Sequence, residues 1–170
     1  VALGAGGLDV VAVMGGEPYY MRMPEIVGIK LLGDKPPWVS AKDVALSILR
    51  ILGVKGGLGK ILEYFGDGVR RLTVSERATI TNMGAETGAT TSIFPSDEET
   101  LKYFKGYGRE NDWLRIESPL EDVYEDIIEV EVSSLEPLAA RPHSPDNVIE
   151  VREIGGIKVD QVCIGSCTNS

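Results

Sequence analysis

The chain has 170 residues, of which 43% are hydrophobic and 25% charged, and its formal net charge at pH 7 is −9. This composition is typical of a globular protein, and the length suits about one to one and a half domains. The charge argues against a nucleic-acid partner, which requires lysine and arginine clustered on one face. No apolar run reaches the roughly 18 residues of a membrane span, so no membrane partner is expected. The two cysteines do not make a disulfide framework and favour a cytoplasmic location.

The first half of the chain predicts alternating helices and strands. Apolar residues between glycines predict a short helix over residues 8–14, and "EIVGIKLL" predicts a strand that ends at the turn residues "GDKPP". Ser40 with Asp43 resembles a capping box, and the helix that follows has one apolar face and ends at Gly53. The glycine-rich stretch after it leads into a short helix or strand that ends at Gly66.

The second half continues the alternation. A capped helix is predicted from about Ser75, fading near Gly88, and residues 91–94 predict a strand. Ser96 with Glu99 predicts another capping box and another helix. "DIIEVEV" predicts a strand, the proline-rich "SSLEPLAARPHSPDN" predicts a linker, and "KVDQVCIGS" predicts a last strand. This order of elements indicates an α/β layered fold.

Two patterns suggest other kinds of site, but the residues support neither. The glycine clusters lack the spacing of a nucleotide-binding loop, since Gly59-Lys60 is followed by Ile61 where serine or threonine is required. His143 is the only histidine and lies between prolines, so it is interpreted as a loop residue.

The stretch "TNMGAETGATTSIF" contains the first candidate site residues, Asn82 and Glu86. Four positions apart on a helix, they share one face. The small residues around them allow another group to approach closely, although the glycines weaken a helix. One interpretation is a face presented to a ligand or cofactor, and the other is a hydrogen-bonded pair on a solvated helix. The residues alone favour neither.

The ending "CIGSCTNS" holds both cysteines. Cys167 follows a Gly-Ser turn, and the polar residues after it can donate hydrogen bonds to a thiolate. Cys163 lies in the apolar strand and is interpreted as a structural thiol. Two thiols cannot complete a zinc or iron–sulfur site, which normally needs three or four ligands. Cys167 is therefore either idle or part of a set that is completed elsewhere.

Five segments occur in a characteristic order: "VGIKLLG", "PWVSAKDVALSILRILGVKGGLGKILEYFGDGV", "ERATITNMGAETGATTSIFPSD", "DIIEVEVSSLEP" and "IGSCTNS". In these segments and their order the chain resembles the aconitase superfamily of iron–sulfur hydro-lyases, and the resemblance covers nearly its whole length. The resemblance implies a fragment with a three-layer α/β/α domain. Residues 1–24 would be the tail of a first domain, 25–143 a middle domain, and 144–170 the start of a third, cluster-bearing domain.

The resemblance also implies residue roles. The superfamily holds a [4Fe–4S] cluster by three cysteines, of which the first maps onto Cys167 as metal ligand. The other two belong to a downstream Cys-x-x-Cys that this sequence lacks. Asn82 would lie beside the cluster and its ligands, so Asn82 and Cys167 are the cofactor-binding residues. Glu86 would be catalytic, facing the open iron and hydrogen-bonding its water or the substrate hydroxyl.

The implied reaction is the interconversion of citrate and isocitrate through cis-aconitate. "NMGAE" and "SCTNS" are similar to the motifs of aconitases proper, whereas isopropylmalate dehydratases typically read "NMSIEAGAR" and "SCTNG". Homoaconitase, the 3-isopropylmalate dehydratase large subunit, and a non-catalytic module or subunit of a split enzyme stay open as alternatives. The remaining domains of the same enzyme are the expected partners. The 170 residues alone are expected to be inactive, because the superfamily's catalytic serine, substrate-binding arginines and other cluster ligands are not among them.

Overall fold

The computed structural model describes residues 2–165, without the side chain of Ala2. Its five main strands are β1 (Ala2–Leu3), β2 (Glu25–Leu32), β3 (Lys60–Phe65), β4 (Thr91–Ile93) and β5 (Asp126–Glu131). Its helices are α1 (Gly7–Met14), α2 (Ala41–Leu52), α3 (Val74–Met83) and α4 (Glu98–Gly106). The sheet order is β1-β4-β3-β2-β5, with β2 to β5 parallel and β1 antiparallel to β4. The predicted α/β fold is confirmed.

Two crossovers between parallel strands, a connection that is right-handed in nearly all proteins, determine where the helices lie. The chain proceeds from β2 through α2 to β3, and then through α3 to β4, always in the same direction across the sheet. Such crossovers place both helices on the same face, and α2 and α3 indeed contact each other. Because each helix runs back against its strands, α3 ends beside the amino ends of the parallel strands.

The core lies between this helical layer and the sheet. Val27, Ile29 and Leu31 point from β2 toward the helices, where Ile48 of α2 and Ile80 of α3 are also almost fully buried. Alternate residues of β2 face the other side of the sheet. The predicted capping box at the start of α2 is confirmed, with the Ser40 and Asp43 side chains each bonded to the other's backbone N–H.

One predicted helix cap is wrong by one residue, and another helix starts one residue before its predicted start. The capping box of α3 is formed by Thr73 with Glu76, so the helix starts before Ser75. The cap of α4 is Asp97, whose carboxylate accepts from the N–H groups of Glu99 and Thr100. Ser96 does not cap the helix; its backbone instead forms hydrogen bonds with the backbone of Ile116.

The predicted linker contains a β-hairpin. Strands β6 (Leu138–Ala140) and β7 (Val148–Glu150) pair antiparallel and pack against α2. Leu138 and Val148 are buried, and the N–H of Leu138 donates to the Asp43 carboxylate at 2.7 Å. His143 lies in the loop between these strands, as predicted, with a φ of 85°.

The predicted last strand is wrong in its described part, residues 158–165. This segment pairs with no strand of the described chain, and its residues are exposed. A strand requires a hydrogen-bonding neighbour, which the sequence pattern alone does not supply. Cys163 is exposed rather than a buried structural thiol. Cys167 lies outside the described residues. None of the helices in the described range is long and apolar enough to cross a membrane.

Candidate functional site

Asn82 and Glu86 lie near the amino ends of the parallel strands. Asn82 is in the last turn of α3, and Glu86 is in the 3₁₀ turn Gly84–Thr87 that follows it. Both side chains are exposed. The change from α-helix to 3₁₀ turn means that the α-helical geometry behind the predicted shared face ends at Met83.

The small residues of this motif are required by packing within the chain. A Cβ on Gly84 would lie 2.3 Å from the Ser92 hydroxyl, so α3 approaches β4 closely only with glycine there. Gly88 has a φ of 79°, a left-handed conformation that favours glycine. Ala85, in contrast, is exposed and faces the cavity described next. The two glycines are therefore explained by contacts within the chain, whereas Ala85 and Ala89 border the cavity.

A cavity of about 80 Å³ adjoins Asn82. It is lined by the end of α3, by Ala85, by the start of β4 at Thr91 and Ser92, and by Leu3 of β1. A water molecule occupies roughly 30 Å³ of the liquid, so this cavity suits a few waters. A larger substrate would have to lie outside it, over the exposed side chains.

The carboxylate of Glu86 makes no hydrogen bond or ion pair with any residue in the range 2–165. Two other acids of the chain are held by cations. Glu76 pairs with Lys35, and Asp97 with Arg77. Burial would raise the pKa of both carboxyls, but the hydrogen bonds from Lys35 and Arg77 hold each pKa below its ordinary value. Glu86 is thus available to a group from outside the described chain.

Residues 2–165 do not complete an iron–sulfur or metal site. Among residues 2–165, no three histidine, cysteine, aspartate or glutamate side chains are grouped so that they could hold a metal ion. The whole sequence contains only two cysteines, of which Cys163 is exposed and Cys167 lies beyond the described range. A cluster held by three cysteines requires thiolates from outside these 170 residues.

A larger cleft, of about 590 Å³, lies at the opposite edge of the sheet, near the carboxyl ends of β3 and β4. Sequence reasoning did not find it, because part of its wall comes from the irregular segment around residues 115–118. Ligands commonly bind at this edge of parallel sheets. Here, however, the Arg115 guanidinium is already paired with Glu98 and Glu117. Because it lies at the carboxyl ends of the strands, the cleft is distinct from the site of Asn82 and Glu86 at their amino ends.

The parallel sheet with its crossover helices, and the α3–3₁₀ segment at its edge, define a domain of the α/β class. Comparison with known families is more specific: the model of the Aconitase family (aconitate hydratase) matches residues 1–156. The chain belongs to the aconitase family.

Curated relatives carry two kinds of name. Over all of this chain and 24% of the relative, the chain is 39% identical to "Aconitate hydratase, mitochondrial" of Saccharomyces cerevisiae. Over 98% of this chain and 40% of the relative, it is 42% identical to "3-isopropylmalate dehydratase large subunit 2" of Archaeoglobus fulgidus. The chain thus spans between 24% and 40% of the length of these relatives.

Proposed function

We propose that the native protein carrying this chain is a hydro-lyase that interconverts citrate and isocitrate through cis-aconitate. Membership of the aconitase family and the relatives named aconitate hydratase support the reaction class. The form of the motif "NMGAETGATTSIF" supports the substrate. The observation that carries the proposal is the exposed carboxylate of Glu86, which has no partner among residues 2–165 and lies one 3₁₀ turn beyond Asn82 at the edge of the sheet.

In this proposal each motif residue has one role. Glu86 binds the hydroxyl group of the substrate, for which an unpaired carboxyl group is suited as hydrogen-bond partner. Asn82 contributes its amide beside the cofactor ligands. Cys167 is one ligand of a [4Fe–4S] cluster, and the other ligands come from outside this chain. The remaining domains of the same enzyme are the proposed partners, and the 170 residues alone are proposed to be inactive.

The 3-isopropylmalate dehydratase large subunit is a second candidate. The lengths of the aligned regions favour it. The Archaeoglobus relative aligns over 166 residues that cover 98% of this chain, so few gaps are needed. The yeast relative aligns over 188 residues, more than the 170 of this chain, so it carries additional residues within the aligned region. The motif and the lengths therefore point to different substrates within one family.

We propose a modified domain boundary and a location. The hairpin of β6 and β7 spans residue 143, where the sequence motifs divide the middle domain from the third. Because this hairpin packs on α2, the middle domain is proposed to extend from residue 25 to Glu150. Residues 1–24 would then remain the tail of the first domain. A cytoplasmic location is proposed from the cysteine usage alone.

The role of Glu86 is tested with Glu86→Gln in the native polypeptide. General acid–base and hydrogen-bonding groups contribute about 10²- to 10⁴-fold, so kcat should fall at least about 100-fold while iron and sulfide content stays unchanged. The matched control is Glu110→Gln, an exposed glutamate in the 3₁₀ turn Glu110–Asp112, which should leave kcat unchanged. Equal kcat values for Glu86→Gln and wild type would refute the proposed role.

A further inference from the structure

We infer that Asp146, in the loop of the β6–β7 hairpin, is a positioning residue for the 3₁₀ turn that carries Glu86. The inference rests on the proposed role of Glu86 and extends it to a residue far away in sequence. It follows from a chain of contacts that runs from Asp146 through the segment 53–59 to Thr87.

The first contact joins the hairpin to the segment after α2. The N–H of Val54 donates to Oδ2 of Asp146 at 3.2 Å. The hydroxyl of Ser144 donates to Oδ1 of the same carboxylate, so both oxygens are held. Gly53 lies next to this carboxylate, since a Cβ on Gly53 would come within 3.3 Å of Oδ2. Asp146 therefore fixes the backbone at the point where α2 ends and the segment 53–59 begins.

The second contact joins that segment to the turn of Glu86. The N–H of Gly57 donates to the carbonyl oxygen of Thr87 at 2.9 Å. A Cβ on Gly57 would lie 2.6 Å from the Thr87 hydroxyl and 2.8 Å from the nitrogen of Ala89. Leu58 forms an isolated bridge with Ala89. The two backbones touch without a side chain between them, so a displacement of the segment displaces the turn.

The third contact lies within the turn. Thr87 is 1% exposed, and its hydroxyl donates to the carbonyl oxygen of Gly84 at 2.7 Å. Gly84 is also buried, so the exposed Ala85 and Glu86 are held between two buried residues. The direction of the Glu86 side chain follows from the placement of these ends. Loosening Thr87 would allow the turn to open locally without unfolding the core.

A second acid on the same hairpin provides a matched control. Glu150 of β7 pairs with Arg50 of α2 at 3.0 Å. Like Asp146 it joins the hairpin to the end of α2, but its partner lies in the helix itself rather than in the segment 53–59. Replacing Glu150 therefore weakens hairpin docking while leaving the Asp146–Val54 contact in place.

The test compares Asp146→Ala, Asp146→Asn and Glu150→Ala in the native polypeptide, by hydrogen exchange of the Gly57 and Gly88 amides. The Gly88 N–H donates to Ala85 within the turn and so reports its opening. Asp146→Ala should accelerate exchange of both amides about 5- to 10-fold, the effect of one lost hydrogen bond on local opening. Asp146→Asn keeps an acceptor oxygen and should give a smaller increase. Glu150→Ala should change exchange less than about twofold.

Enzyme kinetics provide the second readout. Asp146→Ala should lower kcat about fivefold with KM nearly unchanged, since it acts through the placement of Glu86, and Glu150→Ala should lower neither. Equal exchange in Asp146→Ala and wild type, or an equal increase in Glu150→Ala, would overturn the inference. If Asp146→Ala does not fold, exchange in Asp146→Asn no faster than in Glu150→Ala would overturn it. A wild type without hydro-lyase activity would refute the proposed function but leave the exchange comparison valid.

Discussion

Arg77 is the buried cation whose removal should destabilise this chain most clearly. It is 4% exposed, and its guanidinium makes five hydrogen bonds. Two of them go to the Asp97 carboxylate, at 2.8 and 2.7 Å. The other three go to the carbonyl oxygens of Leu72, Pro95 and Val69. Arg77 thus joins the start of α3 to the segment that leads into α4.

The change Arg77→Leu leaves Asp97 and three carbonyl oxygens without these donors. Removing one partner of a buried ion pair costs about 3–5 kcal/mol. The side chain of Asp97 is 20% exposed, so water replaces part of what is lost, and we expect the lower end, about 3 kcal/mol. With a urea m-value of about 1–3 kcal/mol/M, the midpoint of unfolding should fall by about 1–3 M.

The assay is urea unfolding of the chain, followed by circular dichroism, with Arg71→Leu as the control. Arg71 pairs with Asp34 at 3.2 Å, but both side chains are mostly exposed. Exposed pairs contribute about 0–1 kcal/mol, so this control should unfold close to wild type. If Arg77→Leu lost no more stability than Arg71→Leu, the account of Arg77 as a buried, fully bonded cation would be refuted.

Two further predictions concern packing and pH. Gly84→Ala should cost about 1–3 kcal/mol in thermal unfolding, because its Cβ would lie 2.3 Å from the Ser92 hydroxyl. Gly106→Ala, with no atom near its Cβ, should be neutral or stabilising, and equal losses at the two positions would contradict the packing argument. Burial raises the pKa of the Asp97 carboxyl, but the hydrogen bonds and the charge of Arg77 lower it by more, so the pKa lies below its ordinary value. The ionised Asp97 carboxylate therefore stabilises the fold fully above the unfolded pKa of about 3.9, and this stabilisation is lost as the pH falls through the lower folded pKa. The Asp97→Asn variant should not show this loss.

The parts of the fold that local signals determine were predictable from sequence. The strand over residues 25–32 and the helix capped by Ser40 and Asp43 are confirmed, because turn residues and a capping box act within a few positions. The start of α4 was not predictable in the same way. Its cap, Asp97, is also held by Arg77, which is distant in sequence.

The hairpin of β6 and β7 was missed for a related reason. Three prolines and few apolar residues are typical of a linker, yet Leu138 and Val148 are buried against α2. The bond from the Leu138 N–H to Asp43 shows that the acid of the capping box has a second partner, which its own sequence neighbourhood does not reveal.

The sequence motif named the candidate residues, whose roles stay predictions, but it did not predict their geometry. The motif identified Asn82 and Glu86, and both are exposed near the same edge of the sheet. α3 gives way to a 3₁₀ turn at Gly84, where the backbone lies so close to Ser92 of β4 that a Cβ would be 2.3 Å from its hydroxyl. The role of Cys167 stays a prediction from the motif.

The central claim, that this chain belongs to a citrate-type hydro-lyase, is tested most directly by a substrate comparison. The native polypeptide would be assayed with citrate and with 3-isopropylmalate, and its iron and sulfide content measured on the same sample. The account predicts conversion of citrate to isocitrate at a higher kcat/KM than any reaction of 3-isopropylmalate. Turnover of 3-isopropylmalate alone would establish the second candidate instead. No hydro-lyase activity on either acid, in a sample with full iron and sulfide, would contradict the account.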